Sequence, residues 1–153
     1  MPETTPLDTL ITRAGQRTDD ALQALGLAQR RCTQARQQLG ALSDYRHDYQ
    51  SRLQDAMATG LDTGRYRNYV SFLDSLDQAI AQQQGVLDSA QQQFAQCQRQ
   101  WIEEKRALEA YATLAQRRAR QASVIAQRRE QKTLDEYAQR LHARHAERAR
   151  APF

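Results

Sequence analysis

His142 and His145 come nearest to metal chemistry in this sequence. Two imidazoles three residues apart share one face of a helix. A complete zinc site needs three or four ligands, and no spacing in the chain supplies the rest. The pair therefore reads as solvated surface, and no metal is expected. Cys32 and Cys97 follow no disulfide or zinc pattern and are expected as free thiols facing the interior of the fold. Arg46 and Glu104 stand at positions that otherwise carry apolar residues. No nucleophile or second acid lies within helical reach of either, so they read as register-fixing polar residues rather than catalytic ones. No glycine-rich phosphate loop is present. These features point away from an enzyme and imply no cofactor.

The elements that position these residues are long. No proline occurs between Pro6 and Pro152, and the strong break is Gly60-Leu61-Asp62-Thr63-Gly64. On the near side the apolar stripe runs Leu7, Ile11, Ala14, Thr18, Ala21, Leu25, Ala28, Cys32, Ala35, Leu39, Leu42, Arg46, Tyr49, Leu53, Ala56. On the far side it runs Tyr69, Leu73, Leu76, Ile80, Gln83, Leu87, Ala90, Phe94, Cys97, Trp101, Glu104, Leu108, Tyr111, Ala115, Arg118, Ala122, Ile125. Strict alternation of threes and fours is a period of 3.5, the signature of a left-handed coiled coil. Thr5 is placed to cap the first helix, Pro6 suits its first position and Asp8 favours its positive end. Gly60 suits a C-terminal cap, and Asp62 or Thr63 can cap the second helix.

The expected fold is therefore all-α, a single coiled-coil domain over 1–153. Helix one runs from about 6 to 59, the turn covers 60–64, and helix two runs from about 65 to 145. So short a turn makes the pair an antiparallel hairpin. A turn centred near Asp62 pairs positions whose numbers sum to about 122, setting Ala21 against Trp101, Ala28 against Phe94 and Ala35 against Leu87, small against large. A register one heptad away, summing to 129, sets Cys32 against Cys97 and Arg46 against Gln83. The turn glycines favour the first.

Charge collects at one end. Residues 117–150 carry ten Arg or Lys against four acids, a net +6, whereas the whole chain is +4. In the favoured register Leu7 meets Ala115, so 117–150 forms a basic overhang of the longer second helix. Its apolar residues Leu134, Tyr137 and Leu141 have no partner within the chain, and an unpartnered stripe is marginal in water. Basic residues can meet phosphates, but Glu130, Asp135, Glu136 and Glu147 are interleaved with them. Near the turn, Phe72 and Ala79 precede the seam residues Leu73 and Ile80, and with Leu76 they widen the apolar stripe. Spacing alone leaves open whether they thicken the core or form a helix-docking face. The start Met1-Pro2-Glu3-Thr4-Thr5-Pro6 lacks the charge and apolar stretch of a signal peptide, and no segment has the roughly 20 apolar residues that span a bilayer. A cytoplasmic location is the expectation.

The off-seam residues carry a resemblance. Asp44-Tyr45 with Tyr49, then Asn68-Tyr69 with Phe72 and Leu76-x-x-Ala79-Ile80, then Trp101 with Glu104-Lys105, and last Gln131-Lys132-x-x-Asp135-Glu136-Tyr137-Ala138-Gln139-Arg140 occur in the order found in the FliJ family of the flagellar type III export apparatus. The chain resembles that family from about Leu7 to Arg144. The resemblance implies a non-enzymatic antiparallel stalk, similar to the central stalk of rotary ATPases. Its partners would be the hexameric export ATPase, the cytoplasmic domain of the export gate protein and export chaperones, which it would recycle. The location would be cytoplasmic, with peripheral association at the inner membrane beneath the flagellar basal body. The family's gate-contacting face falls on Phe72, Leu76, Ala79 and Gln83, where Gln83 stands at a position that can carry histidine. The ring-facing residues fall on Arg117, Arg118, Arg128, Arg129, Lys132, Tyr137 and Arg140. No nucleic acid is expected as a partner. The alternatives from other classes are a coiled coil binding nucleic acid through the basic arm, which would show a salt-dependent gel shift, and a general holdase, which would suppress aggregation without preference for one ring.

Overall fold

The computed structural model describes residues 3–151. Met1, Pro2, Pro152 and Phe153, the outermost positions of the expected 1–153 domain, lie outside the described residues. Two α-helices account for nearly all of the rest: α1, Pro6–Thr59, and α2, Thr63–Arg150. No strand occurs among the described residues.

The ends of the helices follow from local chemistry. The Asp8 backbone N–H donates to Thr5 Oγ1 at 3.2 Å, and the Thr5 N–H and hydroxyl donate to Asp8 Oδ2 at 3.0 and 2.8 Å. This reciprocal capping box satisfies donors that the first helical turn leaves unpaired. At the other end of α1, Gly60 has φ +99°. That conformation is easy for glycine and strained for other residues, and it ends the helix. The Arg65 N–H then donates to Asp62 Oδ1 at 2.8 Å. Asp62 is thus the cap, and Thr63 and Gly64, expected in the turn, belong to the first turn of α2. At its far end α2 runs five residues beyond the expected 145, to Arg150.

The chain forms two compact units. One consists of residues 12–107, where the two helices pack antiparallel around the turn. Cross-helix contacts fix its register. Gln83 Nε2 donates to the Ala35 carbonyl and to Gln38 Oε1, both at 3.2 Å. Arg46 bonds Asp77, and the Tyr49 and Phe72 rings lie 4.5 Å apart. These pairs sum to between 118 and 123, the register centred near Asp62 rather than the one summing to 129. All seam positions of α1 in this unit are buried or half-buried, with Ala14, Ala21, Ala28, Cys32, Ala35 and Leu53 the most enclosed. In this register the small residues Ala35, Ala28 and Ala21 on α1 stand at the levels of Leu87, Phe94 and Trp101 on α2, small against large as close packing requires.

The other unit comprises, among the described residues, 3–11 and 108–151. Leu7 is buried, and Leu108, Tyr111 and Ala115 are half-buried. From Gln116 to Ala151 every residue is exposed, including the seam-spaced Arg118, Ala122 and Ile125.

Candidate functional site

The four residues expected to form a gate-contacting face occupy different environments. Phe72 is 38% exposed and stands in an aromatic group, 4.5 Å from the Tyr49 ring and 6.0 Å, edge-on, from Tyr45. Tyr69 joins the group at 5.1 Å from Tyr49. Leu76 is only 7% exposed and belongs to the seam. Ala79 is half-buried. Gln83 is half-buried, and its amide N–H groups are turned across the seam toward Ala35 and Gln38. Phe72 and the exposed Tyr45 therefore supply the accessible aromatic surface, while Leu76 and Gln83 hold the helices beneath it. Beside Tyr45 a shallow trough, also lined by Ala41, Leu42, Gln38 and Gln83, continues this surface.

Arg117, Arg118, Arg128, Arg129, Lys132, Tyr137 and Arg140 are all exposed on α2, Tyr137 at 61%. Val124, Ile125, Leu134 and Leu141 are exposed along the same stretch. Charged heads and apolar stems thus alternate on a helical surface that combines cationic and apolar binding capacity.

The polar seam residues are satisfied. The Arg46 guanidinium donates to Asp77 on α2 and to Gln50 Oε1 at 2.8 Å on its own helix. The bonded Asp77 carboxylate and its charge hold the arginine pKa above its ordinary value. Glu104 accepts from Gln100 Nε2 at 2.9 Å. The Lys105 ammonium lies 5.2 Å from the centre of the Trp101 ring, a cation–π distance. Periodicity misses Asp77 because it stands outside the seam; a sum of 122 sets Arg46 against its neighbour Leu76. The Tyr45–Phe72 contact is missed for the same reason. Cys32 and Cys97 are free thiols. His142 and His145 are exposed, and no cluster of three or more metal-ligating side chains occurs among the described residues. No helix among the described residues is long and apolar enough to cross a membrane.

The family described as "Flagellar FliJ protein" matches residues 3–147. The chain belongs to that family. A flagellar FliJ protein of Salmonella typhi is 37% identical over 141 residues, covering 92% of this chain and 96% of the relative. A flagellar FliJ protein of Escherichia coli (strain K12) is 35% identical over 147 residues, covering 96% of this chain and all of the relative. Near-complete coverage in both directions means that the FliJ match includes the Phe72 surface and the exposed basic stretch alike.

Proposed function

We propose that this FliJ-family chain is a non-enzymatic component of the flagellar protein export apparatus. It acts as a coiled-coil stalk that links the hexameric export ATPase to the cytoplasmic domain of the export gate protein. The observation that carries this reading is the family match across residues 3–147. The exposed stretch with Arg117, Arg118, Arg128, Arg129, Lys132, Tyr137 and Arg140 is the surface proposed to meet the ATPase ring. Its surplus of positive charge and uncovered apolar residues supports that role. Phe72, Leu76, Ala79 and Gln83 are the proposed gate face, with Phe72 as the exposed anchor. Binding of export chaperones and their recycling completes the proposal, with the protein working in the cytoplasm against the inner membrane at the basal body.

The test is a truncation. Removal of residues 117–150 is expected to abolish stimulation of the cognate export ATPase. Residues 12–107 form a unit with its own seam, so the circular dichroism spectrum should remain helical. Undiminished stimulation by the truncated protein would overturn the role given to the basic stretch.

A further inference from the structure

Phe72 stands one position before the seam residue Leu73, so the packing of the seam does not by itself orient its ring. An aromatic residue on a helix flank has two staggered χ1 conformers open to it, and they aim the ring in different directions. What can select one of them lies across the hairpin. The Tyr49 ring on α1 is 4.5 Å from the Phe72 ring, and Tyr45 meets Phe72 edge-on at 6.0 Å.

Tyr49 has the firmer hold of the two. It is half-buried at a seam position, whereas Tyr45 is 49% exposed. Its ring meets two rings of α2 that stand three residues apart and share a face, Tyr69 at 5.1 Å and Phe72 at 4.5 Å. On its own helix it stacks with Tyr45, the planes 29° apart. Tyr49 is thus fixed by packing on several sides and offers a firm wall to the half-open Phe72 ring. The contact also depends on register, because its members belong to different helices. In the pairing that sums to 129, Tyr49 would stand level with Ile80, about two turns of α2 beyond Phe72, and the wall would be gone.

We propose that Tyr49 is the positioning residue of the gate face. Its ring holds the exposed Phe72 ring in one conformer, so the anchor is ordered before the partner arrives, and only in the observed register. A side chain ordered in advance loses less freedom on binding, and the complex is tighter for it. This inference rests on the proposed gate face and adds to it a residue that acts through Phe72.

The test compares Tyr49→Leu, which keeps an apolar side chain in the seam and removes the ring, with Tyr49→Phe, which keeps the ring. All measurements use full-length protein well below the unfolding midpoint of each variant, where circular dichroism shows it helical. Three-bond NMR couplings from the backbone nitrogen and carbonyl carbon to Phe72 Cγ report its χ1 conformer. They should show one conformer in the wild type and in Tyr49→Phe, and averaging over two in Tyr49→Leu. Affinity for the purified cytoplasmic domain of the export gate protein should fall by about three- to tenfold in Tyr49→Leu and stay at the wild-type value in Tyr49→Phe. Stimulation of the export ATPase should be the same in all three. A residue that only supports the hairpin would move both partners together and leave the Phe72 couplings alone. Averaged couplings in the wild type, a single conformer retained in Tyr49→Leu, or equal losses of gate affinity in Tyr49→Leu and Tyr49→Phe overturns the proposal. Phe72→Ala separates the two levels of the reading. If it weakens gate binding and Tyr49→Leu does not, the positioning role alone fails. If Phe72→Ala itself binds the gate domain as the wild type does, the gate face fails and the proposal falls with it.

Discussion

Arg46 on α1 and Asp77 on α2 form a salt bridge across the hairpin, with the second Arg46 nitrogen, Nη2, 3.4 Å from Asp77 Oδ2. Arg46 occupies a seam position where an aliphatic residue would pack better. Its contribution is to register rather than to stability, because an exposed ion pair gains little in water while a polar seam residue penalises misaligned pairings.

Arg46→Leu is therefore expected to leave the thermal midpoint unchanged or slightly raised and to loosen the register. The two native thiols report on this. In the observed register Cys32 and Cys97 are offset by about a heptad, roughly 10 Å along the helices, too far to bond. A slip to the pairing that sums to 129 would bring them opposite each other. Under mild oxidation, wild-type protein should keep both thiols, as counted by alkylation and mass spectrometry, and Arg46→Leu should accumulate an intramolecular disulfide. Identical oxidation of the two proteins would remove the register role.

The seam is legible in the sequence because a 3.5-residue period sustained over so many turns fits a coiled coil and neither a strand nor an ordinary surface helix. Every α1 position on the stripe is at least half-buried, Thr18 and Arg46 included. The far end of the second stripe is less legible: Arg118, Ala122 and Ile125 keep the spacing yet are exposed. Periodicity describes which face a helix would bury; whether anything is there to bury it depends on where the other helix starts, here Pro6. Sequence makes the turn two residues too long because Thr63 and Asp62 both have capping side chains, and only the Asp62 bond to Arg65 decides between them.

At the start of α1 the capping box makes stability depend on pH. The Thr5 hydroxyl, and then the Thr5 backbone N–H, bond the Asp8 carboxylate and hold its pKa below the ordinary 3.8. A carboxylate with a depressed folded pKa contributes stability that is fully present above its unfolded value and is lost as pH falls through the folded value. Acidification from neutrality should therefore leave the first turn intact until below 3.8, then fray it. Amide hydrogen exchange at Asp8 and Thr9 should accelerate over that window relative to the mid-helix amides. Asp8→Asn should abolish the extra pH dependence, and persistence of the transition in that variant would assign it to another group.

Two glycines, one inside α1 and one just past its end, predict opposite signs. Gly60 holds φ +99°, so a side chain there is strained even though an added Cβ meets nothing within 4 Å. Gly60→Ala should lower unfolding free energy by about 1–2 kcal/mol. Gly40 lies inside the helix, exposed, and its added Cβ also meets open space. Gly40→Ala should raise stability by about 0.5–1 kcal/mol, because alanine loses less backbone entropy on folding. Denaturant unfolding of the two variants beside the wild type measures both. The same sign for the two would mean that the turn does not hold the conformation described.

Two apolar members of the proposed gate face, Phe72 and Leu76, need to be tested separately, because they do different work. Leu76 is 7% exposed, and Leu76→Ala removes a seam side chain, at a cost of about 2–4 kcal/mol. A variant that unfolds the hairpin loses every partner together. Phe72 is 38% exposed, and Phe72→Ala removes ring contacts with Tyr45 and Tyr49 while leaving the seam closed, so its stability cost should be the smaller. Measured against the purified export-gate cytoplasmic domain and the export ATPase, Phe72→Ala should weaken gate binding far more than ATPase binding. Leu76→Ala should weaken both in proportion to its loss of helicity at the assay temperature. If Phe72→Ala reduces the two affinities equally while its unfolding midpoint stays near the wild-type value, the aromatic surface is not a gate-specific face, and the exposed ring serves only to thicken the core near the turn.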